Sequence, residues 1–483
     1  MITSADFLPL VPEIFLLCAT CALLLTDLFV SQERRGFIHF LALAILAVAA
    51  ILTLRGVPGV TLPVRVFAET FQRDAAGDLL KLFIYLVTAL GFVYAKPYLK
   101  DRGLFKGEFY MLCLFAVLGM MLMVSAGSLV VVYLGLELLA LSSYALVALD
   151  RDNRLATEAA VKYFVLGALA SGMLLYGLSM MYGATGTLDI ARIYEVAVAT
   201  QGDQRTMLLF GVVFIVVGIA FKFGAAPFHM WLPDVYQGAP TAITLFIGSA
   251  PKLAALGMAY RLFDNSLGGL EADWRIALAW LAGLSLVIGN LLAIMQSNLK
   301  RMLAYSTISH VGFLFMGLAN GTPDGYASAA LYAICYALMA AGSFAAIILL
   351  SRQGFEAEEI SDYRGLFRTH PWFALMILLL MASLAGIPPL FGFWAKLAVI
   401  RAALDADLLW LAITGMVFAV IGAFYYLRVI KVMFFDPPSD DVRIVPQADP
   451  QLRWVFSANA LAMLVLGIFW SPLLEMCLAA FRG

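Results

Sequence analysis

The sequence predicts an all-α polytopic membrane protein folded as a single membrane domain, and three observations predict it. Of 483 residues, 63% are hydrophobic and 13% charged, where ordinary soluble domains have about 25% charged and 45–50% apolar residues. Apolar runs of membrane-crossing length recur from end to end. Two of these runs are too long for a straight crossing and carry prolines at their centres.

Taken in order, the runs give fourteen transmembrane helices: 8–30, 37–55, 76–96, 109–126, 128–149, 157–183, 206–237, 241–262, 274–295, 302–320, 326–351, 371–404, 406–434 and 454–477. The first lacks a positive flank and a small-residue cleavage site, and reads as a retained span. The longest polar stretches, 55–75, 184–205, 352–370 and 435–453, are too small for a soluble domain. Within 1–483 the divisions are a three-helix segment (1–100), a first repeat (109–262), a second repeat (274–434) and a closing helix (454–477). Lys and Arg concentrate in loops that face one side if the N-terminus faces the other, so both termini are expected outside.

Spans 7 and 12 are the long ones. Span 7 breaks at 224–227, with Gly224 and Pro227, and span 12 breaks at 386–392, with Pro388 and Pro389. Proline removes a backbone donor and clashes with the preceding turn. Backbone groups freed at membrane depth persist only inside protein or beside a polar cavity. The breaks lie about 160 residues apart, as expected of paired interrupted helices in an internal repeat. Spans 4–8 and 9–13 form that repeat. Five spans is an odd number, so the second copy must insert inverted.

Four ionisable residues lie deep in spans: Glu137, Lys222, Lys252 and Lys396. Each costs roughly 2.5–3.5 kcal/mol at a helix centre, and the four together on the order of 10 kcal/mol. Two readings compete. Glu137 and Lys222 form a static pair that locks two helices, or the set is a titrating chain. The pair leaves Lys252 and Lys396 without a carboxylate. Burial disfavours an ammonium and an approaching carboxylate restores it, so three lysines sharing one glutamate suit proton exchange.

Carriers between such sites are neutral hydrogen-bonding groups. His229 lies just past the first break, and His310 lies in span 10 among Tyr305, Ser306 and Thr307. Ser306 and His310 share a helix face. Each histidine reads equally as a satisfied core residue. Lys162, one turn from Glu158, reads as an interfacial ion pair or as a further relay group. Cys18 and Cys21 lie in an apolar helix and read as packing residues. The net charge of −1 and the lack of a basic face point away from nucleic acid. No nucleotide, flavin, iron–sulfur or metal motif is present in the sequence.

The segments "ELLALSSYALVAL", "FKFGAAPFHMWLPDVYQGAPT", "SAPKLAALGMAYRL", "QSNLKRMLAYSTISHVGFLFMG" and "LAGIPPLFGFWAK" occur in this order. Together they closely resemble the subunit N family of bacterial proton-pumping NADH:quinone oxidoreductase (respiratory complex I, NDH-1), one of its antiporter-like subunit families. The resemblance implies two inverted five-helix repeats and proton translocation driven by redox chemistry elsewhere. It places the proton-carrying groups on Glu137, Lys222, Lys252 and Lys396. It implies that this chain binds no cofactor, with NADH, FMN, iron–sulfur clusters and quinone on other subunits. The implied surroundings are antiporter-like neighbours, small membrane subunits and the lipid of a bacterial cell inner membrane, with periplasmic termini. A cation/proton antiporter subunit of the multisubunit Na+/H+ type is the alternative.

Overall fold

The computed structural model describes residues 4–56, 62–438 and 445–482. The chain opens with α1 (Val11–Asp27) and α2 (Gly36–Leu54), then a hairpin of β1 (Val64–Val66) and β2 (Phe71–Arg73). There follow α3 (Ala75–Asp101), α4 (Gly107–Val124), α5 (Leu129–Val147), α6 (Arg154–Thr185), α7 (Ile190–Ala199), α8 (Asp203–Phe223), α9 (Trp231–Gly238), α10 (Thr241–Gly248) and α11 (Ala250–Phe263). The second half holds α12 (Glu271–Ile294), α13 (Leu299–Leu318), α14 (Pro323–Leu350), α15 (Leu366–Thr369), α16 (Pro371–Ala385), α17 (Phe391–Asp405), α18 (Leu409–Phe434), α19 (Pro450–Ile468) and α20 (Trp470–Arg482). Among the described residues, 12 helical stretches are long and apolar enough to cross a membrane. The protein is a mostly helical, multi-pass membrane protein.

Polar caps set many of the helix starts. Asn153 and Asn298 accept backbone N–H groups at the heads of α6 and α13, and Asp74 and Thr322 do so for α3 and α14. The "RDNR" and "SNLKR" segments thus lead into spans.

Several elements depart from the sequence expectation. The polar stretch 55–75 holds the β1–β2 hairpin, and 184–205 holds α7. Span 8 is interrupted as well: α10 ends at Gly248 and α11 begins at Ala250, because Pro251 cannot donate to the preceding turn. The last span divides at Phe469, where Pro472 withholds the same bond.

The centre of the bundle is formed by α10–α11 and α14, whose apolar windows are fully buried, whereas α6 and α18 are only a third buried and take the periphery. Buried charges fasten the N-terminal helices to this centre. Lys81 on α3 pairs with Glu13 on α1 at 2.6 Å. Arg261, at the end of α11, donates to Asp74 at 2.7 Å and to the Val124 carbonyl that closes α4. The Arg73 guanidinium reaches the Pro9 carbonyl, and Phe481 packs edge-on against Tyr260 at 4.9 Å. Both terminal segments therefore lie at one end of the bundle, which we call the terminal face.

Candidate functional site

The two long breaks are built alike. At the end of α8, Gly224 adopts φ +78°, its N–H donates to the Phe221 carbonyl, and the Ala225 N–H reaches back to Ala220. At the end of α16, Gly386 adopts φ +85°, its N–H donates to Ser383, and the Ile387 N–H reaches back to Ala382. Both are Schellman ends, which require a left-handed residue and so favour glycine. Such an end leaves the carbonyl just before the glycine without a backbone donor.

A buried lysine supplies that donor in both places. The Lys252 ammonium donates to the Phe223 carbonyl at 2.6 Å. The Lys396 ammonium donates to Leu384 at 2.8 Å and Ala385 at 2.9 Å. Phe223 and Ala385 are equivalent, each preceding its glycine. A cation here also faces the negative end of a helix dipole. Lys252 lies in the first turn of α11 and is 2% exposed; Lys396 lies one turn into α17 and is 8% exposed. The cap at the first break thus comes from α11 and the cap at the second from α17.

Glu137 and Lys222 come together differently. They line one cavity of about 20 Å³, measured to water centres, with Ser171, Tyr144 and Trp231. That is room for roughly one water. The Ser171 hydroxyl donates to the Glu137 carboxylate. Among the described residues Glu137 and Lys222 make no direct ion pair and face each other across this cavity. Trp231 stands between this cavity and Lys252, whose ammonium lies 5.8 Å from the indole centre. Its ring stacks on Tyr163 at 4.6 Å, and its N–H donates to the Phe221 carbonyl at 3.0 Å.

His310 is the hub of a buried network. Its Nδ1 lies 2.6 Å from the Tyr332 hydroxyl and its Nε2 3.0 Å from that of Tyr426. Tyr426 also bonds the Ser306 hydroxyl. A neighbouring set links Tyr425, Asn290 and Ser309. Lys396 lies beside this region, its ammonium 5.2 Å from the centre of the Phe313 ring, and Phe313 stacks on Tyr332.

Other candidates from the sequence lie apart. His229 occupies the loop between α8 and α9, and its Nδ1 meets no hydrogen-bond partner among the described residues. Tyr305 packs against Arg301 and does not join the His310 network. Lys162 pairs with Glu158 at 2.9 Å and with Asp234 at 2.8 Å, and Arg301 bonds the second oxygen of Asp234. Pro227 and Pro389 follow the two Schellman ends, Pro389 directly after Pro388, and none of the three can donate a backbone bond.

Sequence reasoning missed Ser171, Trp231, Tyr332 and Tyr426. Lone hydroxyls in apolar runs such as "ALYAICYALM" and "GAFYYLRV" were the available signal. It also missed Lys300, which is buried and donates to the Ala239 carbonyl at 2.8 Å. Its place beside an exposed-looking "KR" pair concealed it. Among the described residues, no group of three His, Cys, Asp or Glu could hold a metal.

Paired interrupted helices whose ends are capped by buried lysines define an antiporter-like membrane protein. The model of the NADH:quinone oxidoreductase/Mrp antiporter transmembrane family matches residues 126–422. NADH-quinone oxidoreductase subunit N of Xanthomonas euvesicatoria pv. vesicatoria is 56% identical over 483 residues, covering 100% of this chain and 98% of that relative. The chain belongs to the subunit N family of NADH-quinone oxidoreductase. Among solved structures, a chain of respiratory complex I from Thermus thermophilus with bound Aureothin is 31% identical with a TM-score of 0.81, covering 96% of this chain and 98% of that one. A chain of the Mrp complex from Dietzia sp. is 22% identical with a TM-score of 0.84, covering 100% of this chain and 97% of that one, a likeness of fold.

Proposed function

We propose that this chain is a proton-translocating membrane subunit of NADH:quinone oxidoreductase, with Glu137, Lys222, Lys252 and Lys396 as its proton-carrying groups. The observation that carries the proposal is the pair of lysine caps. An ammonium held on helix-end carbonyls in an apolar bundle has a site that accepts it charged, and a proton whose removal changes that site. Glu137, reached through the small cavity and anchored by Ser171, sets the charge opposite Lys222. The His310 network, with Ser306, offers exchangeable hydroxyls near Lys396. His229, Lys162 and Tyr305 are secondary members of the relay in this proposal, lying apart from its two lysine-capped breaks. The work is moving charge against a potential, at about 2.3 kcal/mol per charge per 100 mV.

The chain does no redox chemistry in this proposal. NADH, FMN, iron–sulfur clusters and quinone belong to other subunits of the complex, and the partners in the membrane are antiporter-like neighbours and small subunits. The spans number fourteen: the 12 long apolar stretches, α13, and the pair α16–α17. Spans 4–8 and 9–13 are inverted copies, a reading supported by the matching glycine ends of α8 and α16. The terminal face is periplasmic in a bacterial inner membrane.

The test is Lys252→Met in the assembled complex in proteoliposomes. NADH oxidation with fewer protons moved per electron is the expected result; an unchanged proton yield overturns the proposal. The fold likeness to an Mrp chain supports a second reading, cation/proton exchange. It requires sodium-dependent proton movement by the isolated chain without NADH.

A further inference from the structure

A cleft of about 460 Å³, measured to water centres, runs between α17, α20 and the head of α14. Along α17 it is bordered by Trp394, Leu397, Arg401 and Asp405, residues that recur at helical spacing. Along α20 the borders are Trp470, Leu474 and Leu478, one per turn. From Trp394 to Asp405 the helix rises about 16 Å, close to one leaflet of a hydrocarbon core about 30 Å thick.

The two ends of the cleft differ. At the deep end, Trp394 and Trp470 stack face to face at 4.8 Å, with 6° between their planes, and form a floor. The Trp394 indole N–H is buried behind this floor and meets no acceptor among the described residues. At the mouth, Arg482 is bound by both oxygens of Asp324, at 2.6 and 2.7 Å. Arg401 and Asp405 lie one turn apart on α17, both exposed at the cleft. Among the described residues they make no ion pair with each other or with any other group. The cleft therefore presents, among the described residues, one free cation and one free anion at its mouth, the polar side chains of Asn320, Thr322 and Ser328 along its α14 side, and leucines and a tryptophan floor along α17 and α20.

We propose that this cleft binds one aminophospholipid of the phosphatidylethanolamine class. Its phosphate lies on Arg401, its ammonium on Asp405, and an acyl chain lies along Leu474 and Leu478 to the tryptophan floor. Guanidinium and phosphate match geometrically, and a primary ammonium donates hydrogen bonds that a carboxylate accepts. A phosphatidylglycerol head satisfies Arg401 but brings no cation to Asp405. A phosphocholine head brings a cation with no N–H to donate. The site is independent of the route protons take, so it stands or falls apart from the proposed function.

The test uses the intact complex in vesicles containing phosphatidylethanolamine with a photoactivatable diazirine in one acyl chain, with labelled peptides mapped by mass spectrometry. Labelling is expected on the cleft faces of α17 and α20. Unlabelled phosphatidylethanolamine should compete about tenfold better than phosphatidylglycerol or phosphatidylcholine, the least that one charge-assisted contact confers. Arg401→Ala and Asp405→Asn should each reduce cleft labelling by a similar factor, and Arg401→Lys should retain part of it. Ala398→Phe, which fills the slot without touching either charge, should abolish it and leave NADH oxidation unchanged. Equal competition by all three lipids, or labelling no denser than on the lipid-facing side of α6, overturns the proposal. The competition series on the unaltered protein decides the matter if a charge variant does not assemble.

Discussion

Replacing Lys396 separates what the ammonium holds together from what it carries. In Lys396→Met the chain length is nearly kept and the charge is lost. The Leu384 and Ala385 carbonyls lose their side-chain donor. Two hydrogen bonds from a charged group contribute roughly 1.5–3 kcal/mol each, so about 3–6 kcal/mol is removed. Relief of burying an ammonium returns about 2.5–3.5 kcal/mol on insertion scales. The net destabilisation is therefore about 2 kcal/mol, small beside the rest of a well-packed bundle. The expected outcome is an assembled complex, seen on native gels with a modestly lowered melting temperature, that oxidises NADH but moves fewer protons into proteoliposomes. Lys396→Arg sharpens the test. Arginine can cap the same carbonyls but does not give up its proton in proteins, so stability should recover while proton yield does not. If Lys396→Arg restores pumping in full, the lysine is only a cap and the exchange argument fails.

Ser171→Ala removes the donor that anchors Glu137; proton yield should fall severalfold while assembly is kept, measured by quenching of a pH-sensitive dye. Tyr426→Phe leaves His310 Nε2 and Ser306 without a shared partner, and should cost about 1–3 kcal/mol of thermal stability together with a slower proton flux. Arg261→Met strands the buried Asp74 carboxylate and the Val124 carbonyl; removing one partner of a buried pair costs about 3–5 kcal/mol, so the complex should assemble poorly on native gels. Asp264, in the turn after α11, has its carboxyl pushed up to about 6 by burial, with Glu271 adding to the rise and Arg261 opposing it. A folded value above the unfolded one means that its contribution is full below about pH 4 and lost as pH rises through 6, a change on the order of 2–3 kcal/mol. Asp264→Asn should therefore melt progressively higher than the unaltered protein between pH 4 and 6.5; parallel melting curves across that range would contradict this.

Much of the architecture was legible because hydrocarbon leaves few options. Apolar runs of crossing length become helices, and the glycine–proline clusters at 224–227 and 386–392 mark real ends. The cost of a mid-membrane charge singled out Lys252 and Lys396, and both turned out to sit on helix-end carbonyls. What escaped was mostly what no local pattern encodes. Pro251 drew no reading of its own, yet midway along the predicted span 241–262 it divides that span beside Lys252. Glu13 and Lys81 lie near predicted span ends, where charges are cheap, and only the packing of α1 on α3 shows them buried together. Ser171 lies among the small residues of "GALASG", and the sequence carries no sign of which turn of α6 faces Glu137. The Tyr332–His310–Tyr426 set joins the successive helices α13 and α14 to α18, 116 residues beyond His310, a contact that no local spacing encodes.

The contact of Lys396 with Leu384 and Ala385 makes the shape of the gap and the occupancy of the amine two sides of one equilibrium. Coupling of this kind is reciprocal. A neighbouring protein that leans on α16 and shifts its last turn by a fraction of an ångström would alter how the amine holds its hydrogen ion, without any charge travelling to it. Conversely, loading the amine would push back on whatever leans. A mechanical signal and an electrical one would then be indistinguishable at this position.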